Sequence, residues 1–187
     1  SESQVFVGGV AVFDDYLDKS IQFSKSEFLA HFSLDSGRRT ILFATKSPAS
    51  YPWNPDIVEL LGKAIENQNI NPPSQLIVRI HPIYYFHEEQ TGKIAYSHYK
   101  SQLAEFLELE RRFEHVHLNI PEILSNILPC DMPRNELNIR GSLLKNSDVL
   151  VNMYSTMALE ASIFDLPIID VSFNGIHPER KKRLRHN

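Results

Sequence analysis

Five short runs of apolar and β-branched residues, separated by stretches of helical periodicity, constrain the fold of this 187-residue chain more than any other feature. They are Thr40–Thr45 (TILFAT), Gln75–Ile80 (QLIVRI), His115–Ile120 (HVHLNI), Val149–Met153 (VLVNM) and Ile168–Ser172 (IIDVS). Most are continuous apolar runs with no in/out alternation, the pattern of strands covered on both faces. Helical spacing fills the intervals. One helix opens at Asn54 or Pro55 and carries Ile57, Leu60, Leu61, Ala64 and Ile65; a polar helix around Ser97–Phe113 has one stripe through Tyr99, Leu103, Phe106 and Leu107. Asn135–Asn146 and Thr156–Phe164 complete the set. Strand and helix in alternation predict an α/β domain, doubly wound, with a mostly parallel sheet. Residues 39–187 are read as that Rossmann-like domain. Residues 1–38, with the apolar segment Val5–Phe13 and a small helix near Ser24–His31, are read as a lead-in or interdomain segment.

Composition narrows the possible functions. Hydrophobic residues at 42% are enough to bury a core, and a net charge of -4 gives no overall footprint for nucleic acid. The basic run ERKKRLRH near the C-terminus reads as an exposed helix or frayed end. A single cysteine, Cys130, excludes an internal disulfide framework and fits a reducing, cytoplasmic compartment. No apolar run approaches the roughly 20 residues of a membrane span, and the N-terminus has no signal-peptide pattern. The chain starts without Met and stops within a charged run, so it is expected to be a piece of something longer.

In a doubly wound sheet, ligands bind outside the C-terminal ends of the strands, where the strand order reverses. The residues that follow each strand are therefore the candidates: Lys46-Ser47, His81-Pro82, Asn119-Ile120-Pro121, Tyr154-Ser155-Thr156 and Phe173-Asn174-Gly175. Ser155 or Thr156 is the expected N-cap of a helix whose first amides suit a phosphate, with two hydroxyls as added donors. A hydroxyl that only caps the helix is the competing reading. Glu160 lies in that otherwise apolar helix, which looks buried nearly all round, four residues from Thr156 and on its face. It is too far along for a capping box, so it needs a partner, and a ribose diol offers two donors. Arg79 and His81 project to one side at a strand end. Both could meet a ligand phosphate, or Arg79 could pair with an acid inside the fold and His81 cap a loop.

No G-x-G-x-x-G or P-loop is present, no DxD-type carboxylate pair sits at a strand end, and His115 and His117 lack a supporting metal ligand, so no metal and no cofactor are expected.

The segment LLKNSDVLVNMYSTMALEASIFDLPII resembles the nucleotide-binding signature of GT-B glycosyltransferases: a strand, a Ser/Thr turn, L-E-A on a small-residue helix, then Pro and a strand. VRIHP is similar to the strand-end His-Pro of CDP-glycerol glycerophosphotransferases and related surface-polysaccharide enzymes. VFVGGVAVFDDYL resembles the G-x-P-x-F-D stretch where such chains leave their N-terminal domain, with Ala11 in place of the proline. UDP-GlcNAc 2-epimerases share the phosphate turn but show Ser-Gly-Gly where this chain has Ser-Thr-Met. The resemblance implies a donor-binding half of a glycosyltransferase taking a UDP-, GDP- or CDP-linked sugar in polysaccharide or glycolipid synthesis. It implies the diphosphate on Ser155 and Thr156, the ribose on Glu160, and a phosphate or sugar contact, with a catalytic role, on His81. Arg79, Tyr154, Ser47 and Asn119 complete the expected substrate-binding set, with the base near Asn119–Pro121 or Pro129–Met132. A CDP-glycerol-type transferase domain and a stand-alone, non-enzymatic nucleotide-binding module are the alternatives. The acceptor site and usually the base of such enzymes lie in an N-terminal domain, so this half is not expected to transfer sugar alone. Any membrane contact belongs to the full-length enzyme, and nucleic acid is not an expected partner.

Overall fold

A computed structural model describes residues 10–17, 22–86, 100–124 and 131–171. Its centre is a five-stranded, all-parallel sheet: β1 (Arg39–Ala44), β2 (Ser74–Arg79), β3 (Val116–Asn119), β4 (Val149–Asn152) and β5 (Ile168–Asp170), in the order β3-β2-β1-β4-β5. The strands fall where the apolar runs place them, displaced by about a residue at their ends, as expected where pairing rather than composition sets the limit. The helices are α1 (Lys25–His31), α2 (Asn54–Glu66), α3 (Lys100–Arg112), α4 (Arg134–Asn146) and α5 (Met157–Ile163). The expected starts of α3 at Ser97 and end of β5 at Ser172 fall outside the described residues, as do Gly8-Gly9, Tyr99, Pro129, Cys130, Phe173–Gly175 and the basic C-terminal run.

Period-two alternation along β1 explains why the sheet is covered twice. Ile41 and Phe43 enter a core with Ile57, Val58 and Ile65 of α2 and Phe106 and Leu109 of α3. Leu42 and Ala44 enter a second core with Leu143 and Leu144 of α4, Ala161 of α5 and Phe28 of α1. Both faces of β1 are consequently apolar, and the run reads as continuous. Strand β2 follows the same rule, with Leu76 and Val78 on the α2–α3 face and Ile77 on the α4 face. Arg79 is two residues beyond Ile77 and so shares the α4 side.

The lead-in is tied to the sheet domain. Ser24 caps α1 in a full capping box with Glu27, fixing its entry, and Phe28 is fully buried. The Phe23 backbone bonds the Ser142 hydroxyl (2.8 Å) and the Asn146 amide (3.2 Å), both on α4. Ahead of it a 3-10 helix, Ala11–Leu17, carries Tyr16 into the interior at 4% exposure.

Helix α5 departs from the sequence expectation. It buries Glu160 and Ala161, but Leu159 is 63% exposed, so this apolar helix is covered on one side only. Helix α2 packs tightly where it carries Gly62. A Cβ on Gly62 would lie 2.6 Å from the Phe113 ring, which is itself buried. Gly62→Ala is expected to lower stability by about 1–3 kcal/mol through overpacking, read as a lower urea midpoint with an unchanged m-value.

Candidate functional site

The order β3-β2-β1-β4-β5 places a switch point between β1 and β4. From β1 the chain turns to α2 on one face; from β4 it turns to α5 on the other. The two connections diverge and leave a cleft of about 460 Å³ at the C-terminal strand ends. Lys46, Ser47, Arg79, His81, Tyr154, Ser155, Thr156 and Glu160 all line it, with Pro121, Met132 and Arg140. Seven of those residues are among the eight that the sequence singled out; the eighth, Asn119, lies behind the wall.

The β4–α5 turn is built by Tyr154 and Ser155. Tyr154 adopts φ +42°, a left-handed conformation that lets the chain reverse direction sharply. Its side chain is 71% exposed and its carbonyl accepts from the Lys46 ammonium (3.4 Å). Thr156 is the N-cap residue, but its hydroxyl does not cap. Ser155 does that work from one residue earlier: its Oγ accepts from the Met157 amide (3.3 Å) and donates to Asn152 Oδ1 (2.7 Å). The Ser155 hydroxyl is thus held in place, and Thr156, an exposed residue, makes no side-chain cap bond.

Arg79 is not free to act on a ligand in this arrangement. Its guanidinium pairs with Asn119 Oδ1 (2.5 Å) and with Glu136 Oε2 of α4 (3.2 Å), all three side chains being buried. Burial works against its charge and Glu136 opposes that effect. Of the two readings open for Arg79, pairing with an acid inside the fold is the one observed. Asn119 is spent in the same pair, and its carbonyl accepts from the Ile80 amide (2.9 Å). Pro121, next along, meets the Tyr85 hydroxyl through its carbonyl.

His81 ends β2. Its backbone amide donates to Thr45 Oγ1 (2.8 Å), and its Nδ1 accepts from the Ile83 amide (3.3 Å), capping the single 3-10 turn Pro82–Tyr84. Burial lowers its pKa below the ordinary histidine value. With Nδ1 an acceptor, the neutral ring must carry its proton on Nε2, which is left as a donor on a residue that lines the cleft. Both readings of His81, loop cap and donor, are therefore compatible: one nitrogen serves each. The depressed pKa fixes a sign. Above pH of about 6.5 the residue is neutral in both folded and unfolded states. As pH falls through that value the unfolded chain takes up the proton first, so stability declines until the lowered folded pKa is passed. His117, whose pKa burial also lowers, acts in the same direction. Urea midpoints are expected to fall between pH 7.5 and pH 5.5, and less steeply in His81→Asn, which keeps a capping acceptor but does not titrate.

Glu160 has the partners that its burial demands. At 5% exposure it pairs with Arg140 Nε of α4 (3.0 Å) and accepts from the Tyr16 hydroxyl. Both contacts fall on Oε2; among the described residues neither uses Oε1. Arg140 Nε also donates to Tyr16 Oη (2.6 Å), closing a three-membered ring of side chains. The sequence reading missed Tyr16 and Arg140. Arg140 is four residues after Glu136 on α4, which reads as a surface ion pair. Instead each takes a partner from elsewhere, Arg79 for one and Glu160 for the other. Lys46, noted only as a strand-end residue, reaches the turn with its ammonium, 3.4 Å from the Tyr154 carbonyl.

No family model matches the sequence, and no curated protein matches it. Among solved structures, UDP-GlcNAc 2-epimerase from Methanocaldococcus jannaschii is similar over 97% of this chain and 44% of its own, with a TM-score of 0.55 and 18% identity. ADP-heptose LPS heptosyltransferase II from E. coli is similar over 88% and 42% (TM-score 0.49, 16% identity). UDP-GlcNAc 2-epimerase from Neisseria meningitidis, solved with UDP-GlcNAc, is similar over 92% and 37% (TM-score 0.49, 13% identity). The chain spans less than half the length of each. The first of these likenesses is one of fold, and it agrees with the strand order in giving a doubly wound, Rossmann-like α/β domain, the fold class expected from the sequence. No helix among the described residues is long and apolar enough to cross a membrane.

Proposed function

We propose that this chain is the donor-binding domain of a glycosyltransferase that uses a nucleoside-diphosphate sugar, in surface-polysaccharide or glycolipid synthesis. The observation that carries the reading is the composition of the switch-point cleft. A lysine, two hydroxyl residues on a fixed turn, a neutral histidine and a buried carboxylate converge on one space of about 460 Å³. That volume is in the range of small-molecule sites. Lys46 would neutralise the diphosphate, and the Ser155–Thr156 turn and His81 Nε2–H would donate to its oxygens. Glu160 Oε1 would accept from the ribose diol. When the glycosidic bond breaks, negative charge grows on the diphosphate, and donors fixed in advance stabilise that charge without reorganising. His81 is the residue proposed to touch the reacting group, as a donor.

The acceptor and the base that activates it are assigned to a preceding domain, so this chain alone would bind donor and not transfer it. A CDP-linked polyol donor is the second reading, favoured by the His81-Pro82 strand end with its Nε2 donor. Calorimetric titration with UDP, CDP, GDP and ADP, each beside its monophosphate, tests the proposal and names the base. One diphosphate should bind at least about tenfold tighter than its monophosphate, roughly 1.4 kcal/mol. Failure of every diphosphate and of the matching nucleotide sugars to bind the folded chain at millimolar concentration would remove the reading.

A further inference from the structure

We infer that Tyr16, from the 3-10 helix ahead of the sheet domain, sets the ribose selectivity of the cleft by holding Glu160 in a one-oxygen pairing with Arg140. The inference rests on the donor-site reading above. Left alone, an arginine and a carboxylate favour a two-point pairing, with parallel N–H···O bonds to both oxygens. Such a pair would take Oε1 and Oε2 together, and nothing would remain for a diol. Here the Tyr16 hydroxyl bonds both members of the pair. It donates to Glu160 Oε2 and accepts from Arg140 Nε (2.6 Å), so that Nε is shared between the phenol and Oε2 (3.0 Å). Among the described residues the carboxylate is met on Oε2 only, and Glu160 lines the cleft.

The phenol is itself firmly placed. Its ring packs edge-on against Phe164 (5.6 Å) and stacks with Phe13 (6.1 Å), and the Arg140 guanidinium lies over its face (5.8 Å). Gly141 on α4 leaves the room; a Cβ there would lie 3.1 Å from the Tyr16 ring. Burial raises the phenol's pKa, so its proton stays in place as donor to Glu160. A residue outside the sheet domain thereby acts on the ligand through Glu160, as a positioning residue.

Tyr16→Phe keeps the ring and its packing and removes only the hydroxyl. Binding of the preferred ribonucleoside diphosphate, of its 2′-deoxy analogue and of inorganic pyrophosphate should be measured for both proteins, with thermal melts alongside. The wild-type chain should prefer ribose by about tenfold or more. In Tyr16→Phe that preference should collapse to about twofold, with pyrophosphate binding unchanged. A variant that keeps the full ribose preference overturns the role of Tyr16 and leaves the donor-site reading standing. So does a variant that loses all three ligands in proportion with a lowered melting temperature, since that is loss of structure alone. A wild-type chain that binds the diphosphate with no ribose preference overturns the inference together with the assignment of ribose to Glu160.

Discussion

Glu136→Ala is expected to lower stability by about 3–5 kcal/mol, the cost of leaving a buried guanidinium without its counter-charge. Arg79 is nearly fully buried, and Glu136 Oε2 is the carboxylate oxygen it meets (3.2 Å); the bond to Asn119 remains but carries no charge. Glu136 Oε1 also accepts from the Glu122 amide (3.1 Å), so the same change frees the loop that follows β3. For a chain of this size such a loss corresponds to roughly 10 °C in melting temperature. Arg79→Met with Glu136→Leu removes both charges and keeps the bulk, and should recover most of the loss, because a buried pair is often no better than apolar side chains of the same volume. Thermal melts of the single and double variants decide the matter. A single variant within about 1 kcal/mol of wild type would mean that water reaches the guanidinium.

Glu160→Ala carries the second large effect, on binding instead of stability. Hydrogen bonds to a charged group are worth about 1.5–3 kcal/mol, so loss of the carboxylate should weaken the preferred nucleoside diphosphate by roughly ten- to hundredfold. Pyrophosphate, which has no ribose, should be affected by no more than about twofold. Stability should suffer less than in Glu136→Ala. Arg140, the partner left behind, is 22% exposed and can turn to water, whereas Arg79 cannot. Glu160→Gln keeps the shape and one acceptor oxygen and should fall between wild type and Glu160→Ala. Equal loss of nucleotide and pyrophosphate would indicate a collapsed cleft instead of a missing ribose contact.

The fold was legible because each strand solves one problem, burial on both faces, and does so with residues that announce it. TILFAT and QLIVRI could be placed to within a residue for that reason. The expected lining of the cleft was legible for a related one: in a parallel sheet the functional residues must follow strands, so a list of strand ends is a short list. What the sequence could not display is partnership across the fold. Arg79 at a strand end could meet a ligand phosphate or pair with an acid inside the fold, and the sequence does not name that acid: Glu136, 57 positions away. Glu160 looks unpartnered in its own helix because its partners are Arg140 on α4 and Tyr16, 144 positions earlier. Local periodicity carries no information about such pairs. Helix α5 shows a related limit: its apolar residues suggested burial all round, yet Leu159 faces out, because hydrophobicity identifies what can be buried and not how much cover is present.

The central claim, that the cleft between β1 and β4 holds a nucleoside diphosphate, is tested most directly by a crystal structure of the chain with the diphosphate that titrates most tightly. Phosphates are expected between Lys46 and the Ser155–Thr156 turn, with the ribose hydroxyls on Glu160. A ligand ordered instead in the cavity of about 370 Å³ beside Gly62, Phe113 and His115, or an empty cleft at saturating concentration, would contradict it.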